Sequence, residues 1–250
     1  PGLGDSQAAK QLIGSETFTE FACGELGGDI LLSSSSPKLH HHRELIKMLA
    51  AFTASLLLIT ISELGDKTFF IAVILAMRHS QRLVFAGVTA ALATMTVLSV
   101  LVGQAVSILP QVYVDWGEIA LFFGFGIKLL LEARQMPNAP NTEEEQEALE
   151  AVEGAGVKQS IWGVLVKAFV LTFVAEWGDR TQIATIALAA ANHPVGVIIG
   201  GTLGHSICAA IAVLGGRAIA GRISERTITI LGGSLFIIFG AVAFWEKFGH

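Results

Sequence analysis

Six stretches of this chain are each long and apolar enough to cross a lipid bilayer. They cover residues 48–77, 83–109, 117–133, 161–190, 195–215 and 227–245. A bilayer core about 30 Å thick needs roughly 20 mainly apolar residues per helix. The composition agrees, because 52% of the residues are hydrophobic and 15% are charged, whereas soluble domains carry about a quarter charged residues. We therefore predict an all-α polytopic membrane protein with six transmembrane spans.

The polar segments divide the chain into four parts. Residues 1–46 mix acidic residues with Gly and Ser, and they are predicted to form an extramembrane, mobile segment. Residues 47–133 and 160–248 each contain three spans, and residues 134–159 form an acidic linker between them. We expect this linker to be solvated, with one short exposed helix. The net charge of -5 argues against nucleic acid as a partner.

The second half of the apolar region repeats the first. A shift of 113 positions aligns polar, apolar and glycine positions in the first two spans of each half, and one residue of slippage then aligns Phe125 and Gly126 with Phe239 and Gly240. The aligned pairs include Glu63 with Glu176, Gly65 with Gly178, Asp66 with Asp179, Thr68 with Thr181, Gly87 with Gly200 and Gly103 with Gly216. Because three spans is an odd number, the second copy must enter the membrane from the opposite side. We predict two inverted three-helix repeats with an ion site at their interface, where inverted-repeat transporters commonly bind substrate.

Each repeat contains a group of ionisable residues within its first span. The motifs are "ELGDKT" at 63–68 and "EWGDRT" at 176–181. On a continuous helix, the two acids and the base of each motif would share one face. An ionised side chain near the middle of a membrane helix costs on the order of 2.5 to 3.5 kcal/mol. We therefore expect these residues to line a wet or protein-enclosed cavity, with tilt of the span or a break at the motif glycine.

The simplest arrangement of these charges is an ion pair within each helix. Glu63 would pair with Lys67 one turn later, and Glu176 would pair with Arg180. Two further acids, Asp66 and Asp179, would still lack a counter-charge. A purely structural ion-pair network is therefore the weaker hypothesis.

A cation site accounts for the remaining charge. Its candidate ligands are Glu63, Asp66, Glu176 and Asp179, with Lys67 and Arg180 as counter-charges. If both bases lie in the cavity, the net charge is near -2, which one divalent cation or two protons would neutralise; if they point to the interface, it is nearer -4. Carboxylate oxygens suit calcium, magnesium and manganese. Thr68, Thr181 and Gln182 could add neutral oxygens or hold water. Burial and mutual repulsion raise the pKa of carboxyl groups in general, so protons would compete with the metal.

Other candidate residues have weaker arguments. His205 is the only histidine inside a predicted span, where it is either a proton relay or a histidine hydrogen-bonded to a neighbouring helix. Cys23 and Cys208 match no metal or redox spacing. Cys208 is interpreted as a small packing residue.

The two motifs resemble those of a known family. "ELGDKT" and "EWGDRT", each early in one half of a two-repeat protein with an acidic central loop, are similar to the paired signatures of the transmembrane protein 165 family. This family, once called uncharacterised protein family 0016, comprises Gdt-type cation/calcium exchangers. The resemblance covers residues 47–248. The surrounding "ELGDKTFFIA" and "FVAEWGDRTQIATIALAAA" look most like the cyanobacterial and plastid manganese transporter branch.

The resemblance implies a secondary transporter, not an enzyme. It would exchange manganese, or calcium, for protons by alternating access, with the four motif acids as the ion site and no cofactor. Its location would be a cyanobacterial thylakoid or plasma membrane, or a plastid thylakoid or envelope. The alternatives are a calcium/proton exchanger with manganese as a secondary substrate, a non-transporting assembly factor, and an intramembrane enzyme. The enzyme is the least favoured, because no nucleophile with a cluster of bases is visible in the sequence.

Overall fold

The computed structural model describes residues 37–136, 142–155, 160–219 and 224–249. This part of the chain folds into α-helices. They are α1 Pro37–Glu63, α2 Lys67–Arg78, α3 Gln81–Val106, α4 Gln111–Gln135, α5 Thr142–Gly154, α6 Ile161–Ala175, α7 Arg180–Ala191, α8 Pro194–Ile219 and α9 Glu225–Phe248. The prediction for residues 1–46 lies mostly outside the described ranges, although α1 already begins at Pro37, before the predicted first span.

The apolar helices confirm a polytopic membrane protein. Within the described ranges, four helical stretches are long and apolar enough to span a bilayer: His41–Glu63, Gln81–Val106, Pro194–Gly215 and Arg226–Phe248. The helices α6 and α7 together make a fifth if they are counted as one bent span. The third predicted span coincides with α4, but α4 has four charged side chains between Asp115 and Glu132. Six spans and the inversion of the repeats therefore stay predictions.

The two longest predicted spans are each interrupted at the motif. The stretch 48–77 divides between α1 and α2, and the stretch 161–190 divides between α6 and α7, whose axes differ by 75°. Gly65 and Gly178 lie at these breaks with φ of 78° and 84°, a left-handed conformation that only glycine adopts readily. The expectation of a break at the glycine is confirmed. The expectation that each motif occupies one face of a continuous helix is wrong.

The residue after each glycine begins the next helix. Asp66 is the N-cap of α2, and Asp179 is the N-cap of α7. The side chain of Asp179 accepts a hydrogen bond from the Thr181 N–H at 3.3 Å. Aspartate is among the preferred N-cap residues because its side chain satisfies an amide that the first helical turn leaves free. The acids of the motif are thus placed at helix ends.

Helices from both halves of the sequence pack against one another. Helix α3 lies against α6, α7 and α8, and α4 pairs with α9 and contacts α7. Glycine permits the closest approaches: a Cβ atom on Gly87 would lie 2.7 Å from the Leu165 carbonyl oxygen and 2.8 Å from the Ala168 Cβ. Such close backbone contact is the usual means of packing membrane helices. It brings the two helix breaks into one region.

The acidic linker contains a docked helix. In α5, Ala148 and Val152 lie one turn apart and are buried against α2. Two ion pairs reinforce this contact, from Lys67 Nζ to Glu147 Oε2 at 2.7 Å and from Arg78 Nη2 to Glu153 Oε1 at 3.0 Å. The prediction of a short helix is confirmed and most of its residues are exposed, but Ala148 and Val152 are buried, which the sequence analysis did not predict. A short apolar stripe on an otherwise acidic helix is sufficient to dock it.

Candidate metal centre

Acids from both motifs meet where the helices are interrupted. Glu63 ends α1, Glu176 is the C-cap of α6, and Asp179 is the N-cap of α7. Each of these three residues offers a carboxylate oxygen, and these oxygens lie within 4.8 Å of one another. Glu63 is 2% exposed and Glu176 is 3% exposed. We call Glu63, Glu176 and Asp179 the acid cluster.

One oxygen of each glutamate in the acid cluster lacks a partner. Glu63 Oε1 and Glu176 Oε1 are buried and have no hydrogen-bond partner among the described residues. Burying an anionic oxygen without a partner is strongly unfavourable. A cation held between these two atoms would remove that penalty. The acid cluster therefore has the chemistry of a site for a hard divalent cation.

The motif threonines hold the other glutamate oxygens. Thr68 Oγ1 donates to Glu63 Oε2 at 3.3 Å, and Thr181 Oγ1 donates to Glu176 Oε2 at 3.4 Å. Thr181 Oγ1 also lies 3.0 Å from Asp179 Oδ2. Each hydroxyl thus holds one oxygen of a carboxylate, and the other oxygen has no hydrogen-bond partner among the described residues.

Asp66, the fourth predicted ligand, lies beside the acid cluster. Its Oδ1 is 3.6 Å from Arg180 Nη2, so an acid of the first motif pairs with the base of the second. Asp66 and Arg180 also line a cavity of about 200 Å³ together with Glu132 and Glu144. The structure thus brings three of the four predicted acids within reach of one ion, whereas the fourth, Asp66, pairs with Arg180.

The predicted ion pairs within each motif are wrong. Among the described residues, Lys67 pairs with Glu147 of α5, and Arg180 pairs with Asp66. The helix breaks separate Glu63 from Lys67 and Glu176 from Arg180, so spacing along a continuous helix no longer applies. Four carboxylates less one guanidinium leave a formal site charge of -3 when all are ionised, between the two values expected from sequence.

Two other predicted residues have different surroundings. Gln182 Oε1 accepts a hydrogen bond from the Gly178 N–H at 2.7 Å, so this side chain stabilises the helix break. His205 is buried in α8, and its Nδ1 has no hydrogen-bond partner within the described part of the chain. A proton-relay role for His205 stays a prediction.

Glu144 is a site residue that sequence analysis missed. It belongs to α5, outside the membrane-spanning helices, and shares the 200 Å³ cavity with Asp66. The pKa of Glu144 is raised to about 7, first by burial and then by the negative charges of Asp66 and Glu147. In the sequence, Glu144 is one of three consecutive glutamates at 143–145 and nothing distinguishes it from the others. Its position beside Asp66 follows from the docking of α5.

A second acidic cavity was also missed. It measures about 470 Å³ and is lined by Asp115 and Glu118 of α4, both buried. Glu118 Oε1 accepts from Asn192 Nδ2 at 3.0 Å, and Asp115 forms an ion pair with Lys247. Helices α1 and α7, which end and begin at the acid cluster, also line this cavity. The available signal was two acids three residues apart at the start of the predicted span 117–133, with Asp115 just before it and Glu118 inside it.

The family model described as "Divalent cation/proton antiporter GDT1" matches residues 51–137 and matches residues 164–250 a second time. The chain belongs to this family. The two GDT1 matches begin 113 residues apart, which is the shift that aligns the two motifs. The GDT1 family is a family of transporters, so the resemblance seen in the motifs and the expected exchange of cations for protons are both confirmed at that level.

Individual GDT1 relatives are found in cyanobacteria and plants. The chain is 57% identical over 204 residues to GDT1-like protein sll0615 of Synechocystis sp., covering 80% of this chain and 99% of that protein. It is 40% identical over 205 residues to GDT1-like protein 3 of Oryza sativa subsp. indica, covering 78% of this chain and 74% of the relative. It is 39% identical over 216 residues to Protein PAM71-homolog, chloroplastic, of Arabidopsis thaliana, covering 80% of this chain and 60% of that protein. No solved structure matches the chain.

Proposed function

We propose that this chain exchanges manganese for protons across a cyanobacterial or plastid membrane, with calcium as a weaker substrate and the acid cluster as the cation site. The observation that carries this proposal is the pair of buried, unpartnered oxygens Glu63 Oε1 and Glu176 Oε1, one from each motif. They lie in a cluster whose ligand oxygens are within 4.8 Å of one another. Membership in the GDT1 family supports a divalent cation and protons as the exchanged species.

The charge of the site links the two substrates. With a divalent cation bound, the formal charge of -3 becomes -1. When the cation leaves, uptake of two protons restores the same charge, so the buried carboxylates never face one another fully ionised. Two protons per cation are favoured, because a site that carries the same charge in both directions does no net electrical work over a complete cycle.

In the proposed site, manganese is the preferred ion if each acid contributes one oxygen. The cluster and its two threonines offer three carboxylates and two hydroxyls. Calcium takes about six to eight oxygen ligands at roughly 2.3 to 2.6 Å. Manganese accepts a smaller set of carboxylate and water oxygens in octahedral geometry. The proposed membrane is a thylakoid, plasma or plastid envelope membrane, in keeping with the cyanobacterial and chloroplastic relatives.

We assign two cavities as the routes by which ions reach and leave the acid cluster. The 200 Å³ cavity contains Asp66 and Glu144, whereas the 470 Å³ cavity contains Asp115 and Glu118. In the proposed cycle, a cation entering by the first cavity displaces Arg180 from Asp66 and then reaches Glu63, Glu176 and Asp179. Rocking of one repeat against the other would then connect the cluster to the second cavity.

Transport by purified protein in vesicles tests the proposal. Vesicles with an outward proton gradient and an internal pH dye should show manganese uptake coupled to proton release. Glu176→Gln, which preserves shape and removes the charge, should lower manganese uptake by at least about tenfold. The control is Glu150→Gln, an exposed acid of α5, which should keep wild-type uptake. Calcium added in competition should reduce manganese uptake only when present in excess.

Three results would contradict the proposal. Wild-type uptake by Glu176→Gln would exclude the acid cluster as the cation site. Cation movement without proton counterflow would indicate a uniporter or channel. Preference for calcium in the competition assay would make manganese the secondary substrate.

A further inference from the structure

The two motifs have the same local fold but hold their aspartates differently. The backbone of each motif turns at a glycine, Gly65 or Gly178, with φ of 78° and 84°. An aspartate then caps the next helix, Asp66 for α2 and Asp179 for α7. However, Asp179 belongs to the acid cluster, whereas Asp66 forms an ion pair with Arg180. One structure therefore contains two equivalent segments in two different arrangements of charge.

The bases of the two motifs differ in the same way. Arg180 crosses to the first motif, with its Nη2 atom 3.6 Å from Asp66 Oδ1. Lys67 is the equivalent base under the shift of 113 positions, and it binds Glu147 of α5 at 2.7 Å. The side chains of Lys67 and Glu147 are 35% and 61% exposed, and ion pairs this exposed are weak and readily exchanged. The mirror image of the pair between the motifs would join Lys67 to Asp179.

This mirror-image pair belongs to the same junction as the observed one. Lys67 directly follows Asp66 in the chain. In the same way, Asp179 directly precedes Arg180. Consecutive Cα atoms are about 3.8 Å apart, so the observed contact between the motifs also brings the backbones of Lys67 and Asp179 to this junction. A change in the relative orientation of α2 and α7 is sufficient to exchange one pair for the other.

We propose that the two motifs exchange these ion pairs during transport, so that Asp179 and Asp66 alternate as the third acid of the cation site. In the state described here, Arg180 holds Asp66, and Asp179 joins the two motif glutamates. In the opposite state, Lys67 holds Asp179, and Asp66 joins the glutamates. Each state contains four acids and one base, so the formal charge of the site is unchanged.

This inference rests on the proposed function, because the acid cluster is the cation site assigned there. Two inverted repeats can exchange conformations when access to the site alternates, and the asymmetry of this structure then represents one of two successive states. Helix α5 biases the exchange, because Glu147 must release Lys67 before Lys67 can reach Asp179. Docking of α5 therefore favours the state in which Asp179 completes the cation site.

Lys67 and its partner on α5 provide a matched pair of variants. Lys67→Gln removes the base that the opposite state requires, whereas Glu147→Gln removes only the partner of that base. In vesicles, Lys67→Gln should lower the kcat of manganese/proton exchange by at least about fivefold, with little change in the manganese KM because the acid cluster is intact. Lys67→Arg should restore the kcat, and Glu147→Gln should not lower it. Equal losses in Lys67→Gln and Glu147→Gln would overturn the inference, since Lys67 would then act only by docking α5.

Cross-linking follows the two states without transport. Asp66→Cys with Arg180→Cys, in a parent whose two native cysteines are replaced by serine, reports the described state through its rate of reaction with a short bifunctional thiol reagent. Adding Lys67→Gln should raise this rate, because the opposite state loses its ion pair. Adding Glu147→Gln should lower the rate, because Lys67 is released for Asp179. A role in docking alone predicts the same direction in both variants, and that result would also overturn the inference.

Failure of the proposed function gives a different result. In that case the wild-type protein would not exchange manganese for protons in vesicles. The cross-linking rates would still change in opposite directions in Lys67→Gln and Glu147→Gln if the ion pairs exchange, and they would not do so if the pairs are fixed.

Discussion

Gly178 provides the backbone conformation on which the acid cluster depends, and Gly178→Ala tests that dependence. The residue has φ of 84° between Glu176 and Asp179, and a Cβ atom added there would meet nothing within 4 Å. The substitution therefore introduces conformational strain without a clash. The left-handed conformation costs a residue with a Cβ roughly 1 to 2 kcal/mol. For a chain of this size that amounts to about 2 to 8 °C in Tm.

Gly124→Ala is the matched control. Gly124 lies inside α4, and an added Cβ there also meets nothing within 4 Å. In a helix interior, alanine is more favourable than glycine by roughly 0.5 to 1 kcal/mol, so this variant should be slightly stabilised. Gly178→Asn should be intermediate, because asparagine tolerates the left-handed region better than alanine.

Two measurements on the same preparations decide the result. Thermal unfolding in detergent should follow the order Gly124→Ala, wild type, Gly178→Asn and Gly178→Ala, from most to least stable. Manganese uptake into vesicles should fall in Gly178→Ala by more than its stability loss explains, because relief of the strain moves Glu176 relative to Asp179. Wild-type Tm and uptake in Gly178→Ala would refute the reasoning, since they would show that the break does not require a glycine.

Three further predictions concern the groups around the acid cluster. Thr181→Val removes a hydroxyl that contacts two carboxylates and should weaken manganese binding by about 10- to 100-fold in equilibrium titrations. The control is Thr94→Val, at an exposed threonine of α3, which should leave manganese binding unchanged. Lys247→Gln removes the counter-charge of the buried Asp115 and should lower the free energy of unfolding by about 1 to 3 kcal/mol. The double variant Lys247→Gln with Asp115→Asn should recover most of that stability. Equal stability of both single variants and wild type would contradict this prediction. With α5 docked, the pKa of Glu144 is raised from its ordinary 4.5 to about 7. When α5 undocks, Glu144 loses its proton at lower pH than when it is docked. Docking of α5 should therefore weaken as the pH rises from about 4.5 to 7. Proteolysis of the linker should accelerate over that range in wild type, and an equally steep profile in Glu144→Gln would assign the effect to another group.

Several features of the site could be read from sequence because they are local or repeated. The acids Glu63, Glu176 and Asp179 stood out as charged residues within apolar stretches, and the breaks at Gly65 and Gly178 followed from span length and glycine. Charge pairing could not be read in the same way. The expected pairs assumed an unbroken helix, whereas Arg180 pairs with Asp66 of the other motif and Lys67 pairs with Glu147 of the linker.

The sequence by itself determined that this chain is a helical membrane protein of a divalent cation/proton antiporter family with acids in its apolar spans. Hydropathy, glycine placement and a repeated motif are properties of short segments, and the bilayer leaves few alternatives for apolar segments of that length. Only the tertiary structure decided which charges meet and that α5 docks beside Asp66. These contacts join residues far apart in the chain, and they depend on how closely the helices pack, which no local pattern encodes.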